Sequence, residues 1–369
     1  MKQYPTARPL IGKKEERYVL QALRSGQLSM GPFIEKFEKK FAKAVGTKYA
    51  VGVSSGTAGL HMALIAAGIK EGDEVITSPY SFVASANAIL YVGAKPVFAD
   101  IDPKTYNIDP KDIEHRITPR TKAIMPIHIF GQPSDMDAIM DIARRHDLLV
   151  VEDACESLLA TYKGKGAGTF GQSGVFAFYA NKQMTTGEGG MIVTNDARVD
   201  ELCRSLRNQG RAPNMQWLDH DRLGFNYRMD ELSAAVGLAQ VENISMLIKK
   251  RKELAGWYGK ELASLSGKIE IPYVAPENTH TWFVYVIKLR DASRDRDEVI
   301  VQLKKLGVHC KPYLPSIHMF DFYRKMGFHP GDYPVSEAAS KSTLALPFYI
   351  GLTKKDLANI RKALEKVLS

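Results

Sequence analysis

Apolar runs of strand length recur through the first half of the chain, and most are followed by a stretch with helical spacing. YAVGVSS (49–55) leads into TAGLHMALIAAGI, and DEVITSPY (73–80) leads into SFVASANAILYVG. KPVFADI (95–101) is followed by KAIMPIHIF (122–130), then by the helical DMDAIMDIARRH and the strand-like LLVVEDA (148–154). GVFAFYA (174–180) and MIVTND (191–196) complete a set of about seven strand candidates. Several are apolar almost throughout, as strands covered on both faces are. Alternation of strand and helix predicts an α/β fold whose sheet is largely parallel, with right-handed crossovers.

From about residue 235 the pattern changes. SAAVGLAQVENISMLIKKRKELAGWYGKELASL reads as one long helix, HTWFVYVIKL as a strand and RDEVIVQLKKLG as a helix. A Pro- and aromatic-rich loop spans 311–334, and a helix closes the chain at 353–368. The expected organisation is a large domain over 1–245 and a smaller α+β domain over 246–369. No internal repeat or low-complexity segment interrupts it.

Composition narrows the class. Across 369 residues, 45% hydrophobic and 25% charged content excludes a disordered or fibrous chain. MKQYPTARPL has no apolar signal core, and no uninterrupted apolar stretch is long enough to span a bilayer, so no membrane partner is expected. Cys155, Cys203 and Cys310 are odd in number and widely separated. They suit neither a disulfide framework nor a metal site, and a reducing cytoplasm is the expected home. The net charge of +9 raises the question of nucleic acid. Its basic residues are scattered, however, and the densest run, KKRK at 249–252, reads as the exposed face of a helix. A diffuse positive balance suits a phosphorylated small molecule better.

Ligands of an open parallel sheet collect beyond the carboxyl ends of its strands, and three features fall at such ends. In SSGTAGL (54–60), Gly56 permits a tight turn and a helix opens at Thr57, which makes an anion site of the helix start. Taken alone, the stretch is better read as a strand-to-helix turn with Thr57 as N-cap. In VVEDACE (150–156), Asp153 follows an apolar strand, where it would either cap the next element or hold a proton on a heteroaromatic nitrogen. Lys182 sits between the strand GVFAFYA and the glycine-rich TTGEGG, a poor place for a solvated lysine. Partial burial would favour the neutral amine that Schiff-base chemistry needs. Gly187, Gly189 and Gly190 would let the backbone pass close to a ligand. Together, in this chain order, the three features specify a pyridoxal phosphate (PLP) site: phosphate at the turn, pyridine nitrogen at Asp153, aldehyde at Lys182. Phe82 in SPYSFVAS is the candidate flat face for the ring.

These segments resemble the nucleotide-sugar aminotransferase family of PLP enzymes of fold type I, whose fold is aspartate aminotransferase-like. The resemblance runs through LRSGQLSMGPFIEKFEKKFA, SSGTAGLHMAL, SFVASANAILYVGAKPVFADID, PIHIFGQPSDMDAI and VEDACES. It continues through FYANKQMTTGEGGMIVTND, LGFNYRMDELSAAVGLAQ, IHMFDFY and GDYPVSEAASKSTLALP. By matched motif position it implies that Lys182 binds the cofactor covalently and later moves the proton, and that Asp153 pairs with the pyridinium nitrogen. Glu156, where Gln is common, would contact the ring edge near the phenolic oxygen. Gly56, Thr57 and Ala58 would take the phosphate, Ala58 through its N–H. Phe82 would stack on the ring, and Asn226 of GFNYR would reach the phosphate of the neighbouring subunit in a homodimer. Tyr313 and His318 would line the substrate side.

One position departs from the resemblance. Five residues before the lysine the family usually carries Ser, and this chain has Ala177. Losing one charge-assisted hydrogen bond costs about 1.5–3 kcal/mol unless Ser173, Thr185 or a water takes over. The implied activity is amination of a keto-sugar carried on a nucleoside diphosphate, with L-glutamate as donor. The alternatives are a PLP aminotransferase acting on another keto compound and a non-catalytic regulatory protein on the same fold. Retention of Lys182, Asp153 and the phosphate turn counts against the last.

Overall fold

The computed structural model describes residues 2–212 and 219–369. Its strands are β1 (Tyr49–Val53), β2 (Glu74–Thr77), β3 (Lys95–Phe98), β4 (Thr121–Met125), β5 (Leu149–Asp153), β6 (Thr161–Tyr162) and β7 (Lys165–Gly166). β8 (Ser173–Ala177), β9 (Gly190–Thr194), β10 (Ile269–Glu270), β11 (Asn278–Thr279), β12 (Tyr285–Leu289) and β13 (Thr343–Leu346) follow. A seven-stranded sheet has the order β1-β9-β8-β5-β4-β2-β3. Its strands are the seven read from the sequence. All neighbours run parallel except β9, which is antiparallel to both β1 and β8. The sheet is thus α/β and mostly parallel, as the near-continuous apolar runs require. Every residue of β2 and β9 is buried, because helices cover both faces.

The stretch read as one long helix is two, Glu231–Glu242 and Ile244–Glu261. The break is at Asn243, whose N–H turns back to the Gln240 carbonyl (3.0 Å). Asparagine competes with the helix for backbone partners, and here that preference ends the first helix. After the second helix, β10, β12 and β13 form an antiparallel sheet. It packs with the helices Arg296–Lys305 and Lys354–Leu368 around Tyr258, Leu303, Leu344 and Ile360. Tyr4 joins this core. Its N–H donates to the Gly307 carbonyl (2.8 Å), and its own carbonyl accepts from His309 (3.0 Å). The Phe348 N–H likewise holds the Thr6 carbonyl (2.9 Å), so the start of the chain is strapped across the mouth of the main cavity.

The KKRK run is exposed at Lys249, Lys250 and Lys252 but not throughout. Arg251 is buried, which corrects the reading of the run as a wholly solvated face. Among the described residues no helix is long and apolar enough to cross a membrane.

Candidate active site

A cavity of about 930 Å³ lies at the carboxyl ends of β1, β5 and β8. It gathers Gly56, Thr57, Phe82, Asp153, Glu156, Lys182 and Tyr313 from segments far apart in sequence. Its volume is at the upper end of ordinary ligand pockets, about 300–1,000 Å³.

At the end of β1 the chain enters the helix Gly56–Ala66. Its N-cap is Ser55 rather than Thr57, and the Ser55 hydroxyl accepts the Ala58 N–H (3.1 Å). Ala58 is therefore already partnered and does not line the cavity, whereas Ser55, Gly56 and Thr57 do. The first N–H groups of a helix have no intrahelical acceptor, so the N–H groups of Gly56 and Thr57 and the Thr57 hydroxyl are the ones presented to an anion. Glycine is needed at 56 for closeness of approach. A Cβ there would lie 2.7 Å from the Ala177 Cβ and 3.1 Å from the Cys155 sulfur. Gly190 is needed for the same reason, since its Cβ would meet the Ser55 carbonyl oxygen at 2.6 Å.

Asp153 closes β5 and is only 4% exposed. It caps no helix. One carboxylate oxygen accepts from the Ser85 hydroxyl (2.7 Å) and the other from the Cys155 N–H (3.1 Å). Burial and the Asp153 carboxylate push the Cys155 thiol well up, so this cysteine is a neutral wall.

Lys182 follows the end of β8 by a short loop and keeps 13% of its side chain exposed. Its Nζ is 3.4 Å from Glu156 Oε1 and 4.0 Å from the centroid of the Phe283 ring. Glu156 accepts the Phe130 N–H through Oε2 (2.9 Å). Burial raises its carboxyl above the usual range against the opposing pull of Lys182. Tyr313 is packed against the rings of Phe130 and Phe283, and burial followed by the Glu156 charge raises its hydroxyl well above 10.

Two groups on the walls, a ring face and a side-chain oxygen, lack partners. Phe82 is 65% exposed at the cavity, and among the described residues no ring packs on it. The side-chain oxygen of Asn181 is buried at the wall with no hydrogen-bond partner among the described residues. A free aromatic face, an unmet acceptor, an unsatisfied helix start, a buried carboxylate and an amine are the surroundings that PLP needs. The residues present fit that group.

Two further expectations change. His318 does not line the cavity: it is fully buried, with Nε2 3.0 Å from Glu337 Oε1 and its ring against Tyr333. The aromatic cluster around Phe98, Tyr323 and Tyr333 draws that segment behind the wall. Neither hydroxyl expected to offset Ala177 is available. Ser173 lies at the opposite end of β8, and Thr185 already donates to the Phe178 carbonyl (3.1 Å) and accepts the Gly187 N–H (2.9 Å). Asn226 is exposed and lies outside the cavity of its own chain.

Sequence reasoning missed Ser55, Ser85, Asn181, Phe283 and Lys311, all of which line the cavity. Ser55 was detectable as a serine before a glycine-started helix. Phe283 and Lys311 carry no local signal, because only tertiary folding brings their segments to the cavity. Among the described residues no group of three or more His, Cys, Asp or Glu could hold a metal ion.

Comparison with known proteins gives the same picture. The model of the DegT/DnrJ/EryC1/StrS aminotransferase family matches residues 9–365. The chain is 43% identical to GDP-perosamine synthase of Caulobacter vibrioides, over 98% of this chain and 97% of that one. S. venezuelae DesV superimposes with a TM-score of 0.92 at 32% identity, covering 99% and 98% of the two chains. The PLP form of Spr1654 from Streptococcus pneumoniae superimposes with a TM-score of 0.93 at 25% identity, over the full length of both. The chain belongs to the DegT/DnrJ/EryC1/StrS family and is a PLP-dependent sugar aminotransferase.

Proposed function

We propose that this sugar aminotransferase aminates a keto-sugar carried on a nucleoside diphosphate, takes the amino group from L-glutamate, and works as a cytoplasmic homodimer. The observation that carries this reading is the convergence of Lys182, Asp153, Phe82 and the Ser55–Thr57 turn on one cavity of about 930 Å³. When bound, PLP supplies an electron sink that lets an amino group pass from donor to acceptor. The N–H groups of Gly56 and Thr57 hold the phosphate. Phe82 covers a ring face, and Asp153, steadied by Ser85, holds the proton on the pyridine nitrogen. Lys182 gives and takes the proton at the reacting carbon, and Glu156 steers its amine from 3.4 Å away. Exposed Lys311 at the rim provides a cation for a diphosphate. Tyr313 bounds the sugar side, and Asn226 serves the partner subunit's phosphate site. The likeness to GDP-perosamine synthase makes GDP-perosamine the first product to assay.

The test is the near-visible spectrum of the purified protein with PLP, before and after L-glutamate, beside Lys182→Ala. The expected outcome is a visible band in the wild type that glutamate bleaches and a keto-sugar nucleotide restores, with none in the variant. An identical response from Lys182→Ala would remove Lys182 from the chemistry. A band that ignores glutamate would overturn the choice of donor alone.

A further inference from the structure

Arg251 is 4% exposed on the helix Ile244–Glu261, and all three bonds recorded for its guanidinium go to main-chain carbonyls. Nη1 donates to Trp282 (3.1 Å) and Phe283 (3.2 Å), and Nη2 donates to Lys182 (3.2 Å). Burial pushes it down to about 10, and among the described residues no carboxylate pairs with it. The guanidinium carbon also lies 5.7 Å from the centroid of the Phe348 ring, and Nε has no hydrogen-bond partner among the described residues. Keeping a cation out of water without a carboxylate is costly, so some specific geometry must need it. The carbonyls supply that need. One belongs to Lys182 itself, and another belongs to Phe283, whose ring carries the Lys182 ammonium at 4.0 Å. A planar fork holds its donors in fixed directions between two remote segments, whereas the three donors of an ammonium rotate and set no such geometry.

We propose that Arg251 is a positioning residue for the reaction: it clamps the Lys182 main chain to the Trp282–Phe283 segment and so fixes where the Lys182 amine meets a carbonyl carbon. This rests on the reading of Lys182 as the amine that takes up PLP. In that uptake the amine nitrogen bonds to the aldehyde carbon, and the aldehyde oxygen leaves as water. Without the clamp, the lysine backbone and the ring that seats its ammonium move independently, and productive encounters become rarer. Glu156 still attracts the ammonium, so the amine stays in the cavity but without a fixed approach.

Stopped-flow mixing of apoprotein with PLP tests this, comparing wild type, Lys182→Ala, Arg251→Lys and Arg251→Met, with thermal midpoints measured in parallel. The capture rate and the first-turnover rate with L-glutamate should both fall about tenfold or more in the Arg251 variants, with donor KM changed by less than about threefold. A residue that merely supports the core would lower the midpoint and leave these rates alone. Capture by Arg251→Lys within about twofold of wild type overturns the proposal whatever happens to its midpoint. Should Arg251→Met not fold, Arg251→Lys decides alone, since it keeps the buried cation and loses only the fork. If wild type and Lys182→Ala behave alike, the reading of Lys182 itself has failed and the clamp falls with it.

Discussion

Glu156 stands where the family resemblance leads one to expect glutamine, and its surroundings explain how a carboxyl is tolerated. It accepts the Phe130 N–H and faces the Lys182 ammonium while burial favours its neutral form. An acid whose proton is held more tightly in the native state contributes fully below its ordinary value of 4.5, and that contribution is lost as pH rises through the raised value. Glu156→Gln has no such titration. The difference in thermal midpoint should therefore move in favour of the variant as pH is raised from 4.5, then level off. A difference that stays constant over that range would mean that folding does not shift this carboxyl. Asp153 was legible from its place at a strand end, yet its partner Ser85 was not, because the bond spans two elements. Asp153→Asn should keep the fold and lower the rate of the half-reaction with glutamate by about 10²–10³-fold, as loss of a preorganised charge does. A half-reaction at the wild-type rate would remove Asp153 from the chemistry.

At the scale of elements, β5 delivers two neighbouring carboxylates to opposite faces, as the period of a strand demands. Asp153 faces the cavity, and Glu152 faces the loop that feeds β8. Glu152 accepts N–H groups from Phe170 (2.6 Å), Gly171 (2.7 Å) and Gly168 (2.7 Å) and sits 2.9 Å from His128 Nε2. His128 Nδ1 accepts the Ser134 N–H (3.1 Å), so the ring proton is on Nε2 and points at Glu152. Glu152→Gln would turn an amide donor toward backbone donors. With each such bond worth about 1.5–3 kcal/mol, the loss should be at least about 3 kcal/mol in a denaturant titration. An unchanged midpoint would show that the loop holds itself. The sequence displayed this glutamate inside an apolar strand, but its partners come from a loop whose path is not local. The same limit applies to KKRK. Four consecutive residues on a helix cannot all face water when one side is packed, and only the packing shows that Arg251 turns inward.

At the scale of the molecule, the exposure of Asn226 and its absence from its own cavity bear on assembly. If the site is shared in a two-fold dimer, mixing Lys182→Ala with Asn226→Ala chains yields heterodimers that contain one intact site. After exchange, an equal mixture should recover up to about a quarter of wild-type activity, with each variant alone well below that. A mixture no more active than its components would place Asn226 outside any shared site. What the sequence by itself determined was the alternation of apolar runs, hence the seven strands, their buried faces and the strand-end positions of Thr57, Asp153 and Lys182. These follow from periodicities of a few residues that any chain displays locally. Only the tertiary structure decided that Ser55 takes the Ala58 N–H and that His318 lies behind the wall. It also decided that Phe283 and Arg251 converge on the lysine and that Lys311 reaches the same cavity. Those arrangements depend on closing long loops and packing remote side chains together, and nothing in the neighbouring residues encodes where such contacts will fall.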